Sequence, residues 1–273
     1  MKQVIQNTRS GKLTVQDVPV PKAAAGELLV KTRTSLISAG TERLVVDFAR
    51  KSIAAKARAR PDLVKKVMNK IRTDGLKTTF KTVISRLDEP LPLGYSAAGV
   101  VIDVGAGLEG TYRAGDRVAL AGAGLANHAE LNSVPGNLVA SIPSDVTDED
   151  ACYGTLAAIA LHAVRNLDAK LGETVAIFGL GLVGQLAAQF LFLSGVRVVA
   201  LDYDQNRLDL IGKIFAERTI NLSSSGLVND LMTFTSGRGC DGILIAAATE
   251  SSEPFEIAAA IATALPLCLG LEG

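Results

Sequence analysis

The 273-residue sequence has no tryptophan, three cysteines and two histidines. Cys152, Cys240 and Cys268 are far apart and odd in number, with no C-x-x-C pair and no Cys/His cluster. That excludes a disulfide framework and a structural zinc lobe, and suits isolated thiols in a reducing compartment. Excess charge is missing too: 28 basic residues balance 28 acidic ones, so no global field draws the chain to nucleic acid or an anionic membrane. Long apolar runs are lacking. The start, MKQVIQNTRSGKLT, is polar and unlike a secretory leader, and Gly or charge interrupts every apolar stretch before bilayer length. These absences predict a soluble, cytoplasmic protein that binds neither membrane nor nucleic acid.

What is present is small and regular. The composition is 48% hydrophobic with 26 glycines, which suits an α/β fold and argues against disorder. LTVQDVPVP, ELLVKTRTSLIS, GVVIDVG, RVALAG and ELNSVP are short β-rich runs separated by Gly and Pro, and predict a compact β-barrel-like domain over residues 1–146. Residues 42–88 interrupt it with three helical patterns. Pro61 and Asp62 open the second; Leu76, Phe80, Val83, Ile84 and Leu87 line one face of the third. Basic residues fill the intervening positions. This face either meets phosphates or nucleic acid, or is a solvated surface or one that docks an acidic domain; no aromatic residue is interleaved for base stacking.

From Thr147 the texture changes, and residues 147–273 read as a second domain. TDEDACYGTLAAIALHAVRNL predicts one helix, with Thr147 as N-cap and three acids at its positive end. Strand and helix then alternate through TVAIFG, RVVALD, RTINL and GILIAAA, the signature of a parallel sheet covered on both faces.

The motif that carries chemistry is Gly179, Leu180, Gly181, Leu182, Val183, Gly184, a G-x-G-x-x-G turn between an apolar strand and an apolar helix. Gly179 permits the tight turn, Gly181 lets backbone approach a pyrophosphate, and Gly184 lets helix and strand pack. The helix start then offers free N–H groups and a positive dipole end to phosphate. Asp202, eighteen residues past Gly184, closes the second strand and is placed to accept from ribose hydroxyls. Its charge favours NAD over NADP, while Arg207 is able to offset a 2′-phosphate.

Four stretches, the turn SAGTE, LPLGYSAAGVVIDVGAG, the GDRVAL turn with NHAELNSVP, and TVAIFGLGLVG with ALD, resemble the medium-chain dehydrogenases/reductases, and the wording around SLISAGTER resembles the first half of bacterial bi-domain oxidoreductases. The resemblance implies a GroES-like β-barrel domain with a helical insertion, then a Rossmann-type doubly wound sheet. It implies hydride transfer between a nicotinamide cofactor and an alcohol, carbonyl or sugar-derived small molecule, and docking to a second oxidoreductase domain or to another copy.

In zinc-dependent members the metal is held at three places, which here carry Ala39, Tyr95 and Gly154, none a metal donor of the zinc set. No catalytic zinc is therefore expected. By the same resemblance Tyr95 faces the nicotinamide, as proton donor or as packing, and His128 falls at a recurrent family position as a structural residue; Thr41 is placed to hydrogen-bond substrate or nicotinamide ribose, and His162, mid-helix among alanines, reads as a core or interface residue. Family members continue past the fifth strand of the second domain, so the chain also reads as a truncated product, with a non-catalytic dinucleotide-binding fragment as the alternative function.

Overall fold

The computed structural model describes residues 1–8, 10–50, 58, 90–247, 249 and 251–270. The helical patterns predicted at Pro61 and over Leu76 to Leu87 lie outside them. The chain divides into two compact units, Met1–Thr155 and Leu156–Gly273.

The first unit is antiparallel. Strands β1 (Lys2–Asn7), β2 (Leu13–Asp17) and β4 (Pro90–Pro92) form a three-stranded sheet in the order β2-β1-β4. Strands β3 (Glu27–Ser35), β5 (Ser96–Val104), β6 (Arg117–Ala121), β7 (Leu131–Pro135) and β8 (Val139–Ser141) form a curled five-stranded sheet, β7-β3-β5-β6-β8. Alternation along these strands sends Leu28, Val30, Ala97, Val101, Val118, Leu120 and Val134 into one core with Tyr112 and Ala126. The result is the GroES-like half-barrel that the sequence implied. The segment around His128 packs beside the start of β1 and the residue after β4: Val4 N–H donates to His128 O at 2.9 Å, and His128 N–H donates to Leu93 O at 2.8 Å.

Two predicted features of this unit differ. The SAGTE stretch is the beginning of helix α1 (Ala39–Arg50) rather than an open turn, because Glu42 N–H donates to Ser38 O and the Glu42 carboxylate accepts the Ser38 N–H at 3.1 Å. The single helix expected from Thr147 is two, α2 (Asp148–Ala151) and α3 (Gly154–Leu167). Thr147 is the N-cap as expected, its hydroxyl accepting from Asp150 N–H at 3.0 Å. The break comes after it, where the Cys152 carbonyl is taken by the Ser96 hydroxyl at 2.6 Å instead of continuing the helical ladder.

The second unit is a parallel sheet of β9 (Thr174–Phe178), β10 (Arg197–Asp202), β11 (Arg218–Asn221), β12 (Cys240–Ile245) and β13 (Ala262–Gly270), ordered β11-β10-β9-β12-β13. Its helices are α3, α4 (Leu182–Leu193), α5 (Gln205–Gly212), α6 (Leu227–Phe234) and α7 (Glu253–Ile261). β9 is buried at every residue, and its period of two divides it between separate cores. Val175 and Ile177 pack with α3, α4 and α5, whereas Ala176 and Phe178 pack with residues of α6 and α7. This is the doubly wound architecture that the alternation predicted.

The final strand, β13, begins at Ala262, before Pro266. Its ladder runs from Cys240 opposite Ala262 to Gly242 opposite Leu267, so Pro266 falls in the irregular stretch where no ladder N–H is required of it. His162, expected in the core or at an interface, is exposed on α3 and hydrogen-bonds Asn166 at 2.9 Å. Among the described residues no helix is long and apolar enough to cross a membrane.

Both described thiols are buried. Burial, helped by the charge of Asp241, pushes Cys240 up to about 12. Burial also raises Cys152, whose Sγ–H donates to Glu149 O. With thiolate the reactive form, neither should label with a thiol reagent at pH 8 in native protein. Mass mapping should find both modified only after denaturation; rapid native labelling of Cys240 would contradict its burial.

Candidate functional site

The strand order reverses at β9, whose neighbours β10 and β12 lead to opposite halves of the sheet, and such a reversal is where open α/β sheets bind ligands. The glycine turn lies there. Gly179 follows β9 directly with φ +88°, and a Cβ on it would come within 2.9 Å of Ala247 just beyond β12. A Cβ on Gly184 would fall 2.0 Å from the Gly179 carbonyl oxygen, so only glycine lets α4 seat against the turn. Gly181 is different: it caps α4 with φ −67°, and a Cβ there would meet nothing within 4 Å. Space therefore opens in front of the one glycine assigned to a ligand.

No side chain caps α4, which leaves the N–H groups of its first turn, Leu182, Val183 and Gly184, without an intrahelical acceptor. Leu182 and Val183 are half-buried beside them, and Leu180 is fully buried. An anion is what such a turn lacks, and a dinucleotide pyrophosphate fits it.

Asp202 is buried at the end of β10. One oxygen accepts the Leu180 N–H at 2.6 Å and the other accepts the Asp204 N–H at 2.9 Å. The carboxylate thus ties the glycine turn to the loop after β10, and each oxygen keeps a lone pair for a ribose hydroxyl. Arg207, half exposed, reaches within 3.5 Å of both Asp202 and Asp204.

The catalytic candidates are in the first unit. Thr41 is exposed in the first turn of α1. Tyr95 is half-buried, its carbonyl accepting from Gly122 N–H at 3.0 Å, and no described residue hydrogen-bonds its hydroxyl. Sequence reasoning treated His128 only as structural and passed over Glu42, yet the structure joins them. His128 Nε2 lies 3.2 and 3.1 Å from the two Glu42 oxygens, and Nδ1 lies 2.8 Å from Ser35 Oγ. A signal existed in the position of Glu42 one residue past Thr41, but nothing linear links it to residue 128. Among the described residues no group of three or more His, Cys, Asp or Glu is placed to hold a metal ion.

Sheet order, glycine turn and half-barrel together define a chain with a Rossmann-type sheet and a GroES-like unit. No protein-family model matches the chain. Its relatives are nevertheless clear. It is 30% identical over 199 residues to a probable D-xylulose reductase A of Arthroderma otae, covering 61% of this chain and 55% of that one. The fold matches galactitol-1-phosphate dehydrogenase of Escherichia coli at a TM-score of 0.74 with 21% identity, covering 99% and 75%. It also matches Escherichia coli quinone oxidoreductase complexed with NADPH, at 0.72 with 17% identity, covering 100% and 76%. In sequence and in fold, then, the chain resembles the medium-chain dehydrogenases/reductases. It spans about half the length of the curated relatives it matches.

Proposed function

We propose that this protein is an oxidoreductase that moves hydride between a nicotinamide dinucleotide and an alcohol or carbonyl substrate, without a catalytic zinc. One observation carries the reading: the open, uncapped helix start at Gly181, walled by glycines whose neighbours leave no room for a side chain. Names of relatives support the substrate class, since a xylulose reductase and a galactitol-1-phosphate dehydrogenase both act on sugar-derived molecules.

The dinucleotide is held at its pyrophosphate by the first turn of α4 and at its adenosine ribose by Asp202. When bound it supplies or takes the hydride; the chain orients it and manages the proton. Asp202 favours NAD, because a 2′-phosphate would face a buried carboxylate already satisfied by two backbone N–H groups. Zinc independence rests on donor chemistry. Ala39, Tyr95 and Gly154 occupy the three family ligand positions, and no step is assigned to a metal. Tyr95 and Thr41 are the proposed partners of the substrate oxygen.

The test is binding. NADH fluorescence and thermal shift should report a complex with a Kd in the micromolar range, typical of such cofactors at about −8 kcal/mol. Asp202→Ser should shift preference toward NADPH by about tenfold, a 1.4 kcal/mol change. No response to either cofactor would end the proposal.

A further inference from the structure

At the end of β10 two carboxylates share one guanidinium. Arg207 Nη1 lies 3.5 Å from Asp202 Oδ2, and Arg207 Nε lies 3.5 Å from Asp204 Oδ2. The Asp202 oxygen that faces Arg207 is the one that accepts the Leu180 N–H from the glycine turn. Asp202 is buried, whereas the side chains of Asp204 and Arg207 are 44% and 49% exposed, so solvent reaches both. The cation is thus held beside the carboxylate to which the adenosine ribose is assigned, within reach of open space.

Asp204 is fixed where it stands. Its N–H donates to Asp202 Oδ1 at 2.9 Å, and its own Oδ1 accepts the Asn206 N–H at 2.9 Å as the N-cap of α5. The residues on either side of it are tied to β11: Asn221 Nδ2 donates to Tyr203 O at 3.3 Å and to Gln205 Oε1 at 3.2 Å. One Asp204 oxygen is therefore spent on the helix, and the other is left to hold Arg207, three residues on, where helical side chains meet. The cap needs an oxygen and not a charge, since Asn caps a helix as well as Asp does. The charge of Asp204 acts on Arg207.

We infer that Asp204 is a second determinant of cofactor choice, an inference that rests on the oxidoreductase reading above and on Asp202 receiving the ribose. A free 2′-hydroxyl donates to Asp202, and Arg207 stays paired with both acids. A 2′-phosphate brings about two negative charges to the same place. A guanidinium suits it, because its fork of donors matches phosphate oxygens and its charge is permanent. Arg207 serves that phosphate only by turning away from Asp202 and Asp204. Asp202 thus repels the phosphate directly, and Asp204 withholds the cation that would receive it.

The experiment titrates NADH and NADPH by fluorescence into wild type, Asp204→Asn, Arg207→Gln, the variant carrying both changes, and Asp209→Asn. Thermal melts establish folding. Asp204→Asn should bind NADPH about fivefold more tightly, the order of one partly exposed ion pair, with NADH affinity level. Arg207→Gln alone should change NADPH affinity little, because the cation is already withheld. In the double variant the gain should vanish. A mere loss of negative charge would leave the gain in place without Arg207. It would also appear in Asp209→Asn, whose carboxylate pairs with Gln205 rather than Arg207. If Asp204→Asn does not fold, Asp204→Ser, which also caps, carries the test. A folded Asp204 variant with the wild-type ratio of affinities overturns the inference, as does a gain that survives Arg207→Gln or appears equally in Asp209→Asn. Wild type that binds neither cofactor removes the oxidoreductase reading itself, and this inference with it.

Discussion

Gly181→Ser is expected to weaken NADH binding about 100-fold while leaving the melting temperature unchanged or slightly higher. The two effects separate because of what surrounds this position. A Cβ has nothing within 4 Å, so the fold admits the side chain. Serine is also a better N-cap than glycine by a few tenths of a kcal/mol, because its hydroxyl accepts from the N–H groups of the first turn. Those are the donors that the pyrophosphate requires, and the new atoms occupy the space it would fill. A 100-fold loss corresponds to about 2.7 kcal/mol, within the range of one or two hydrogen bonds to a charged group. Gly184→Ala supplies the contrast. Its Cβ would sit 2.0 Å from a backbone oxygen, and the expected cost is about 3 kcal/mol of stability from overpacking. Calorimetry and NADH titration on the two variants check both. If Gly181→Ser binds NADH like wild type, the cradle does not hold phosphate.

The second large effect is on stability. Asp148 opens α2 with 10% of its side chain exposed, and it receives Arg117 Nε at 2.9 Å and Arg33 Nη1 at 3.1 Å. The Thr34 hydroxyl donates to its carbonyl as well, so β3, β6 and α2 all meet at this residue. Burial works against its ionisation, but hydrogen bonds and positive charge from Arg117 and Arg33 outweigh it and hold the carboxyl below its ordinary 3.8.

Asp148→Ala leaves the half-buried Arg117 guanidinium without its partner. It should cost about 3 kcal/mol, near the lower end for a broken buried pair because Arg33 stays hydrated. The pH dependence has a definite sign. A carboxyl whose folded value is depressed adds stability that is present above its ordinary value and lost as pH falls through the lowered one. Wild type should therefore weaken below about pH 4. Asp148→Asn should be less stable at neutral pH and show a shallower acid limb. Urea titrations at pH 7 and pH 3 measure both; parallel losses in the two proteins would exclude Asp148 as a source of that limb.

How much was legible in the sequence follows from the range of the interactions. The second unit was read nearly element by element, because strand and helix alternate along it and the glycine turn is a local device. Five strands of the first unit, β2, β3, β5, β6 and β7, were visible as short β-rich runs set off by Gly and Pro. β1 was not among them, nor α7, whose Pro254 and alanines give little periodic contrast. The helix over 147–167 was read through its break because the cause, Ser96, is fifty-six residues away. His128 and Glu42 illustrate the same limit: eighty-six residues separate them, and only the folding of the 127–130 segment against β1 and Leu93 brings them into contact. The glycine turn was legible because every part of it lies in one βαβ unit; the hydrogen bonds joining Ser35, His128 and Glu42 were not, since each member comes from a different segment.

The central strand of the second unit has a final implication. Because odd and even positions of β9 serve separate hydrophobic compartments, a volume change at Ile177 and one at Phe178 are felt by different sets of helices although the residues adjoin. Substitutions accumulating in one compartment need no compensation in the other. The glycine turn after β9, anchored to the shared backbone, stays in place while either side repacks.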